Sequence, residues 1–306
     1  MNILHSYQNG NTRVCLYEDG TKERTFDGTP SPTHPESIDV KITNYCDAGC
    51  SFCHEKSTVK GLHGDLDVLL NVLLSLPAGV EIAIGGGNPL SHPGLIPFLR
   101  ELRAKGIIPN ITINQKHLKP YKDLILNLVK DELVFGVGIS YSSPAYIEDI
   151  KPILEATDCV VFHVIMGINT VHDIDILSSL CAEYNRTCKV LVLGYKVFGF
   201  GLNYYLRNKR IEENKYQWYT TLATYFKKKG LILSFDNLAI KQMNLQRFFT
   251  EDAWAKFYMG DDFVFTMYID GVEQKFAPSS TSEQRFPFSE IKLLDYFQNH
   301  RNKEVS

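Results

Sequence analysis

Between Ser37 and Lys229 the chain alternates short apolar runs of strand length with longer amphipathic stretches. Residues 37–43 read as a strand, and helix-like residues 66–76 follow. The next pairs are a strand at 80–84 with a helix at 94–105, and a strand at 110–114 with a helix at 121–130. Then come 134–139 with 144–156, 159–165 with 171–184, and 188–193 with a long helix at 211–229. Gly106 after the second helix is a good stop, because glycine takes the left-handed conformation that closes a helix. A strand followed each time by a helix implies a parallel sheet covered by helices, so the fold class is α/β. Six such units suit an open partial (β/α)6 barrel better than a closed eightfold one.

The flanks follow a different rhythm. Residues 13–17 and 22–26 lie either side of Asp19-Gly20, a strong hairpin turn. A connector with Pro30, Pro32 and Pro35 leads into the regular series. After Gly230, residues 231–235 read as one more strand, and 263–269 with 272–276 as a second hairpin through Asp270-Gly271. A final helix is expected at about 289–300. The expected organisation is an N-terminal hairpin and connector over 1–36, a barrel core over 37–230, and a C-terminal cap over 231–306 that contributes to the substrate pocket.

Composition narrows the function classes. The chain has 306 residues, 44% of them hydrophobic, enough for a proper core. Its net charge is −3, and its one dense basic run, Lys227 to Lys229, ends an expected helix, where cations suit the dipole. No stable nucleic-acid partner is therefore expected. The first residues lack the basic flank and apolar run of a signal peptide, and no window is apolar enough to span a membrane. Four of the seven cysteines, Cys15, Cys159, Cys181 and Cys188, are scattered, so a reducing cytoplasm is the expected home.

The other three cysteines stand together, as Cys46-Asp-Ala-Gly-Cys50-Ser-Phe-Cys53, just after the first barrel strand. Thiolates this close in an irregular loop can converge on one soft metal centre. Three readings remain open on the residues alone. Zinc would need a fourth ligand, and His54 is the neighbour that offers one. An electron-transfer iron–sulfur centre would normally need a fourth cysteine. A disulfide with a spare thiol would suit an oxidising compartment.

The segment closely resembles the CxxxCxxC signature of the radical S-adenosylmethionine (SAM) enzymes. The resemblance implies that Cys46, Cys50 and Cys53 hold a [4Fe-4S] cluster whose fourth iron chelates SAM, and that one electron then releases a 5′-deoxyadenosyl radical. The partial barrel is also what this family shows. Phe52 matches an aromatic position near the adenine. Gly85, Gly86, Gly87 and Asn88, at the end of the second strand, resemble the family's Gly-Gly-Glu-Pro segment. They depart from it at Gly87, where Glu is usual. Asn114 and Ser140, at the ends of the third and fourth strands, match looser contacts to SAM, and residues 164–169 resemble the stretch alongside adenine. An electron donor such as flavodoxin or ferredoxin is the implied partner.

The substrate end is less marked. No cysteine follows Cys188, so further clusters are not expected. Asp236 and Asn237 follow the last strand and are expected to face the mouth, one to pair with an amine and the other to read a base edge. Lys196, Gly199 and Gly201 lie where they would shape the pocket. Aromatics of the last third, among them Trp218, Phe235, Trp254 and Tyr268, are expected mostly in the core, with a few stacking on a flat heterocycle. The chain looks most like short members acting on deazapurine compounds, queuine lyase among them, which implies carbon–carbon or carbon–nitrogen cleavage of a small base such as queuine. Peptide or protein modification is the alternative, and a non-catalytic metal-binding module is the alternative of another class.

Overall fold

The computed structural model describes residues 2–258 and 260–304. Three antiparallel strands open the chain, β1 (Ile3–Asn9), β2 (Thr12–Tyr17) and β3 (Lys22–Phe26), in that spatial order. The expected hairpin is β2 with β3. The sequence reading missed β1, whose apolar residues are too few to alternate.

Seven parallel strands follow: β4 (Ser37–Thr43), β5 (Glu81–Gly86), β6 (Ile108–Asn114), β7 (Gly136–Ser140), β8 (Val160–Ile165), β9 (Cys188–Leu193) and β10 (Leu231–Phe235). Helices α1 (Leu66–Leu73), α2 (Leu95–Ala104), α3 (Lys122–Lys130), α4 (Lys151–Ala156) and α5 (Val171–Glu183) fill the first five crossovers. The sixth carries two, α6 (Phe200–Arg207) and α7 (Arg210–Tyr225). Beyond β10 come α8 (Asn237–Met243), α9 (Glu251–Phe257), β11 (Thr266–Asp270), β12 (Lys275–Ala277), β13 (Phe286–Pro287) and α10 (Leu293–Glu304).

The C-terminal hairpin does not stand apart as a cap. Strand β11 pairs parallel to β4 on the sheet's other side, and β12 and β13 continue antiparallel from it. The whole sheet runs β10-β9-β8-β7-β6-β5-β4-β11-β12-β13.

Strict alternation sorts this sheet into two faces, because successive side chains of a strand point opposite ways. Ile38, Val40 and Ile42 of β4, Ile82 and Ile84 of β5, Ile111 and Ile113 of β6, and Val190 and Val192 of β9 point outward. They pack against Leu69 and Leu73 of α1, Phe98 and Leu99 of α2, and Leu177 of α5. Each fully buried side chain of this kind is worth about 1.5–3 kcal/mol. Over β4 to β7 the inner positions are instead polar or small, Asp39, Lys41, Ala83, Gly85, Thr112, Asn114, Gly138 and Ser140 among them, and His163 of β8 shares that face. The sheet also curls. Asp39 on β4 feels the charge of Asp236 just past β10, although five strands lie between β4 and β10 in sheet order.

The N-terminal sheet closes the starting end of these strands. Lys22 pairs with Glu81, and Arg24 Nε lies 2.7 Å from Glu36 Oε2. Cys159 Sγ donates to the Glu18 carbonyl at 3.3 Å. Gly79 lies directly under His5 and Tyr7, where a Cβ would come within 2.2 Å of the His5 ring. With that end covered, the inner face opens at the strands' C-terminal ends, where the loops of a parallel α/β sheet gather its chemistry. Among the described residues no helix is long and apolar enough to cross a membrane.

Candidate functional site

The cysteine loop folds back on the end of β4. Short bridges join Thr43 to His63 and Tyr45 to Thr58, and Cys46 N donates to the Thr58 carbonyl at 3.0 Å. Cys46, Cys50 and Cys53 are all free and half-buried. Burial pushes the Cys46 and Cys50 thiols up. Cys46 also feels the charges of Cys50 and Cys53, which stand in the same loop. His54 does not join them. It turns to Lys196 Nζ at 3.4 Å and Glu55 Oε1 at 3.4 Å.

Asn114 and Asn88 brace this loop. Asn114 Nδ2 donates to Cys50 Sγ at 3.5 Å, while its Oδ1 accepts from Lys116 N and from Ser142 Oγ. Lys116 Nζ in turn donates to the Ala48 carbonyl at 2.8 Å. Asn88 is fully buried, with its N on the Tyr45 carbonyl at 2.6 Å and its Nδ2 on Asp47 Oδ1 at 3.3 Å. Phe52 meets Tyr204 of α6 edge-on, with centroids 5.7 Å apart. Helix α6, which the sequence reading missed, is tied to the loop where Phe200 N donates to the Cys53 carbonyl at 2.9 Å.

The three glycines after β5 differ. A Cβ on Gly86, whose φ is +111°, would meet the Thr43 carbonyl oxygen at 2.5 Å, and one on Gly87 would meet the Tyr45 oxygen at 2.1 Å. These two are glycines because the cysteine loop presses on them. A Cβ on Gly85 would find only Thr112 Cβ, at 3.8 Å, so Gly85 leaves an open patch of the inner face. Ser140, at the end of β7, is paired in register with Asn114 and with His163.

Deeper on the inner face lie charges that strand alternation could have flagged. Asp39 is open within the concavity yet walled by protein. Burial pushes its carboxyl up against the pull of Lys196, with Asp236 and Asp262 adding to the rise. His163 sits over Gly138, where a Cβ would come within 2.8 Å of its ring. Burial, helped by the Lys196 charge, lowers its pKa to about 4, so the imidazole is neutral near pH 7. Lys196 Nζ reaches Ser280 Oγ at 2.8 Å.

Asp236 is at this face but is largely committed. Its Oδ1 caps α8 by accepting from Ala239 N at 2.7 Å and also accepts from Gly194 N at 2.9 Å. Asn237 donates to Asp262 Oδ1 at 2.7 Å. The aromatics of the last third divide between the core and its edge. Trp218 is fully buried, and Phe235, Trp254 and Phe257 join one cluster around Phe249. Tyr268 differs. Its hydroxyl donates to Glu55 Oε1 at 3.1 Å, at the edge of a 550 Å³ cavity that Lys41, His54, Glu55 and Arg285 help to line.

The sequence matches the radical SAM superfamily over residues 40–191. No curated protein matches it. Among solved structures the fold is similar to Streptococcus suis SuiB bound to precursor peptide SuiA, with a TM-score of 0.61, 15% identity, and coverage of 87% of this chain and 65% of that one. SuiB bound to S-adenosylmethionine gives 0.59 at 16% identity, covering 90% and 68%. The chain thus spans about two thirds of the length of these neighbours, and at such identity the likeness is one of fold.

The residues fit the family's cofactors, a [4Fe-4S] cluster and SAM. Three free thiols stand in one loop, an amide donates to one of them, and the glycine run after β5 packs against the same loop.

Proposed function

From the radical SAM domain that this chain carries across residues 40–191, we propose an enzyme that acts on a small amine-bearing heterocycle held against the inner face of the sheet. A deazapurine base such as queuine, cleaved at a carbon–carbon or carbon–nitrogen bond, is the specific candidate. When bound, the cluster and SAM supply a carbon-centred radical that takes a hydrogen atom from the substrate. Cys46, Cys50 and Cys53 would hold the cluster, with Asn114 and Asn88 bracing their loop. Gly85 gives SAM room to approach the main chain, while Phe52, Asn114 and Ser140 line the same end.

The observation that carries the substrate reading is Asp39. It is an inner-face carboxylate with no hydrogen-bond or ion-pair partner at contact distance among the described residues, and it is the group left for an incoming amine. Asp236, with Oδ1 committed, and Asn237 frame the same end of the barrel, and neutral His163 offers a further polar contact. A charge-assisted hydrogen bond in such a site is worth about 1.5–3 kcal/mol. Asp39→Asn is therefore expected to raise the substrate's Kd roughly ten- to a hundredfold, with cluster content and SAM affinity unchanged. The measurement is 5′-deoxyadenosine formation across a panel of deazapurines, other amines and peptides, and equal affinity in the variant removes Asp39 from the site.

Gly85→Val tests the cofactor side. The fold has space for the side chain, so cluster content should hold while SAM affinity falls clearly. Unaltered SAM affinity would mean that this edge does not face SAM. Gly86→Val makes a poor test, because it collides with the main chain of β4.

A second reading, modification of a peptide, is favoured by the fold likeness to SuiB bound to its precursor peptide. Turnover of a peptide and of no small base in the same panel would select it.

A further inference from the structure

The histidine that approaches the cysteine loop is His117. It sits in the 3₁₀ turn directly after β6 and is only 2% exposed. Neither of its ring nitrogens has a hydrogen-bond partner. Nε2 lies 2.8 Å from Asp47 Oδ1, but the two are not aligned for a hydrogen bond. Nδ1 thus has no partner and Nε2 only the misaligned carboxylate, and a buried polar group without a hydrogen bond calls for an explanation such as an ion or a catalytic role.

The neighbours supply the rest of a coordination set. Asp47 Oδ1 accepts from Asn88 Nδ2, which fixes the carboxylate toward the histidine. One donor atom each from Cys46, Asp47 and His117 all lie within 4.8 Å of one another. Thiolate, carboxylate and imidazole are the ligand types of tetrahedral zinc, with water able to take the fourth position. Asp47 is exposed, so an ion has a path from solvent.

We propose that Cys46, Asp47 and His117 bind one divalent transition-metal ion of the zinc class in the chain that has not yet taken its iron–sulfur cluster. On binding, Cys46 releases its thiol proton to solvent, and no oxidation state changes. Cys46 therefore serves two sites, and the ion competes with the cluster for this thiolate. His117 and Asp47 belong to the mononuclear site alone. The inference does not depend on which substrate the enzyme takes.

The test uses the full chain, prepared without cluster under anaerobic reducing conditions and titrated with Co(II) as a spectroscopic probe. The parent is expected to bind a single equivalent, with thiolate-to-cobalt charge-transfer absorption and tetrahedral d–d bands. His117→Ala and Asp47→Asn are each expected to weaken binding by roughly ten- to a hundredfold or more, at least what loss of an outer-shell partner costs. Cys50→Ala and Cys53→Ala should keep the signal. Preloading with zinc should slow cluster reconstitution in the parent much more than in His117→Ala.

Absence of cobalt binding in the parent, or undiminished binding in both His117→Ala and Asp47→Asn, overturns the proposal. Equal loss in Cys50→Ala and Cys53→Ala does so too, since it would assign the ion to the three thiolates. Circular dichroism checks the fold of each variant. Should His117→Ala misfold, exposed Asp47→Asn decides, because it disturbs no core packing.

Discussion

Alanine at any one of Cys46, Cys50 or Cys53 is expected to abolish both the iron–sulfur absorbance and SAM-dependent formation of 5′-deoxyadenosine. Each thiol is free, and the three stand in one loop, near enough for Cys46 to feel the charges of the other two. Removing one leaves two protein ligands for a cluster that needs three. The loss should be complete within detection. Full activity in any of the three variants would overturn the ligand assignment. Alanine at Cys15, Cys159, Cys181 or Cys188 should leave the absorbance in place. Cys181 and Cys188 are fully buried, so those two variants are expected to lose some stability and no cluster.

The barrel was legible because its two periods are clean. Strands β4, β9 and β10 fall on the residues that their apolar runs marked, and most other ends shift by a few residues, although the helix expected over 144–156 opens as a 3₁₀ stretch and is α-helical only from Lys151. What the sequence did not show was long-range pairing. Nothing local says that β11 returns to β4, on the far side of the sheet from β10, because a strand's partner is chosen by the whole topology. Helix α6 was hidden by Gly199 and Gly201, which read as loop. Those glycines exist because α6 starts hard against the cysteine loop, where a Cβ on Gly199 would meet the His54 carbonyl at 2.2 Å.

The site divides the same way. Cysteine spacing carries its own chemistry, so the cluster loop could be read directly. Asp236 was placed at the mouth by position alone, and the structure gives its Oδ1 a capping duty there. Asp39 carries a local signal, since the alternation of β4 sets it with Lys41 on the face opposite Ile38, Val40 and Ile42. His117 carried none. Its approach to Cys46 and Asp47 depends on β6 standing two strands from β4 in the curled sheet.

Lys41→Met is expected to destabilise the fold by about 3 kcal/mol, the lower end of what breaking a buried ion pair costs. Lys41 Nζ lies 2.9 Å from Glu55 Oε2 and 2.8 Å from Asp270 Oδ2, and its side chain is 5% exposed. It joins three pieces of chain: β4, the cysteine loop two residues past Cys53, and the end of β11. Methionine keeps most of the apolar stem and removes only the charge. Glu55 and Asp270 are then left buried without their shared cation, although Arg285 Nη1 stays 3.4 Å from Asp270. About 3 kcal/mol is roughly two decades in the folding equilibrium, readable as a lower urea midpoint at unchanged slope. Burial alone would raise the Glu55 carboxyl, but His54 and Lys41 outweigh it and hold it well below the usual range. A depressed carboxylate stabilises above its unfolded pKa of about 4.3, and this contribution is lost as pH falls through the folded value. Burial opposes the Lys41 charge, but Glu55 and Asp270 together raise its pKa, so its contribution is complete below about pH 10.4 and lost only as pH rises through the folded value. The parent should therefore hold a plateau across neutral pH. In Lys41→Met the Glu55 value moves back up, and acid unfolding should begin at higher pH. A variant as stable as the parent, with the same acid limb, would show that the cysteine loop is not held to the sheet through this lysine.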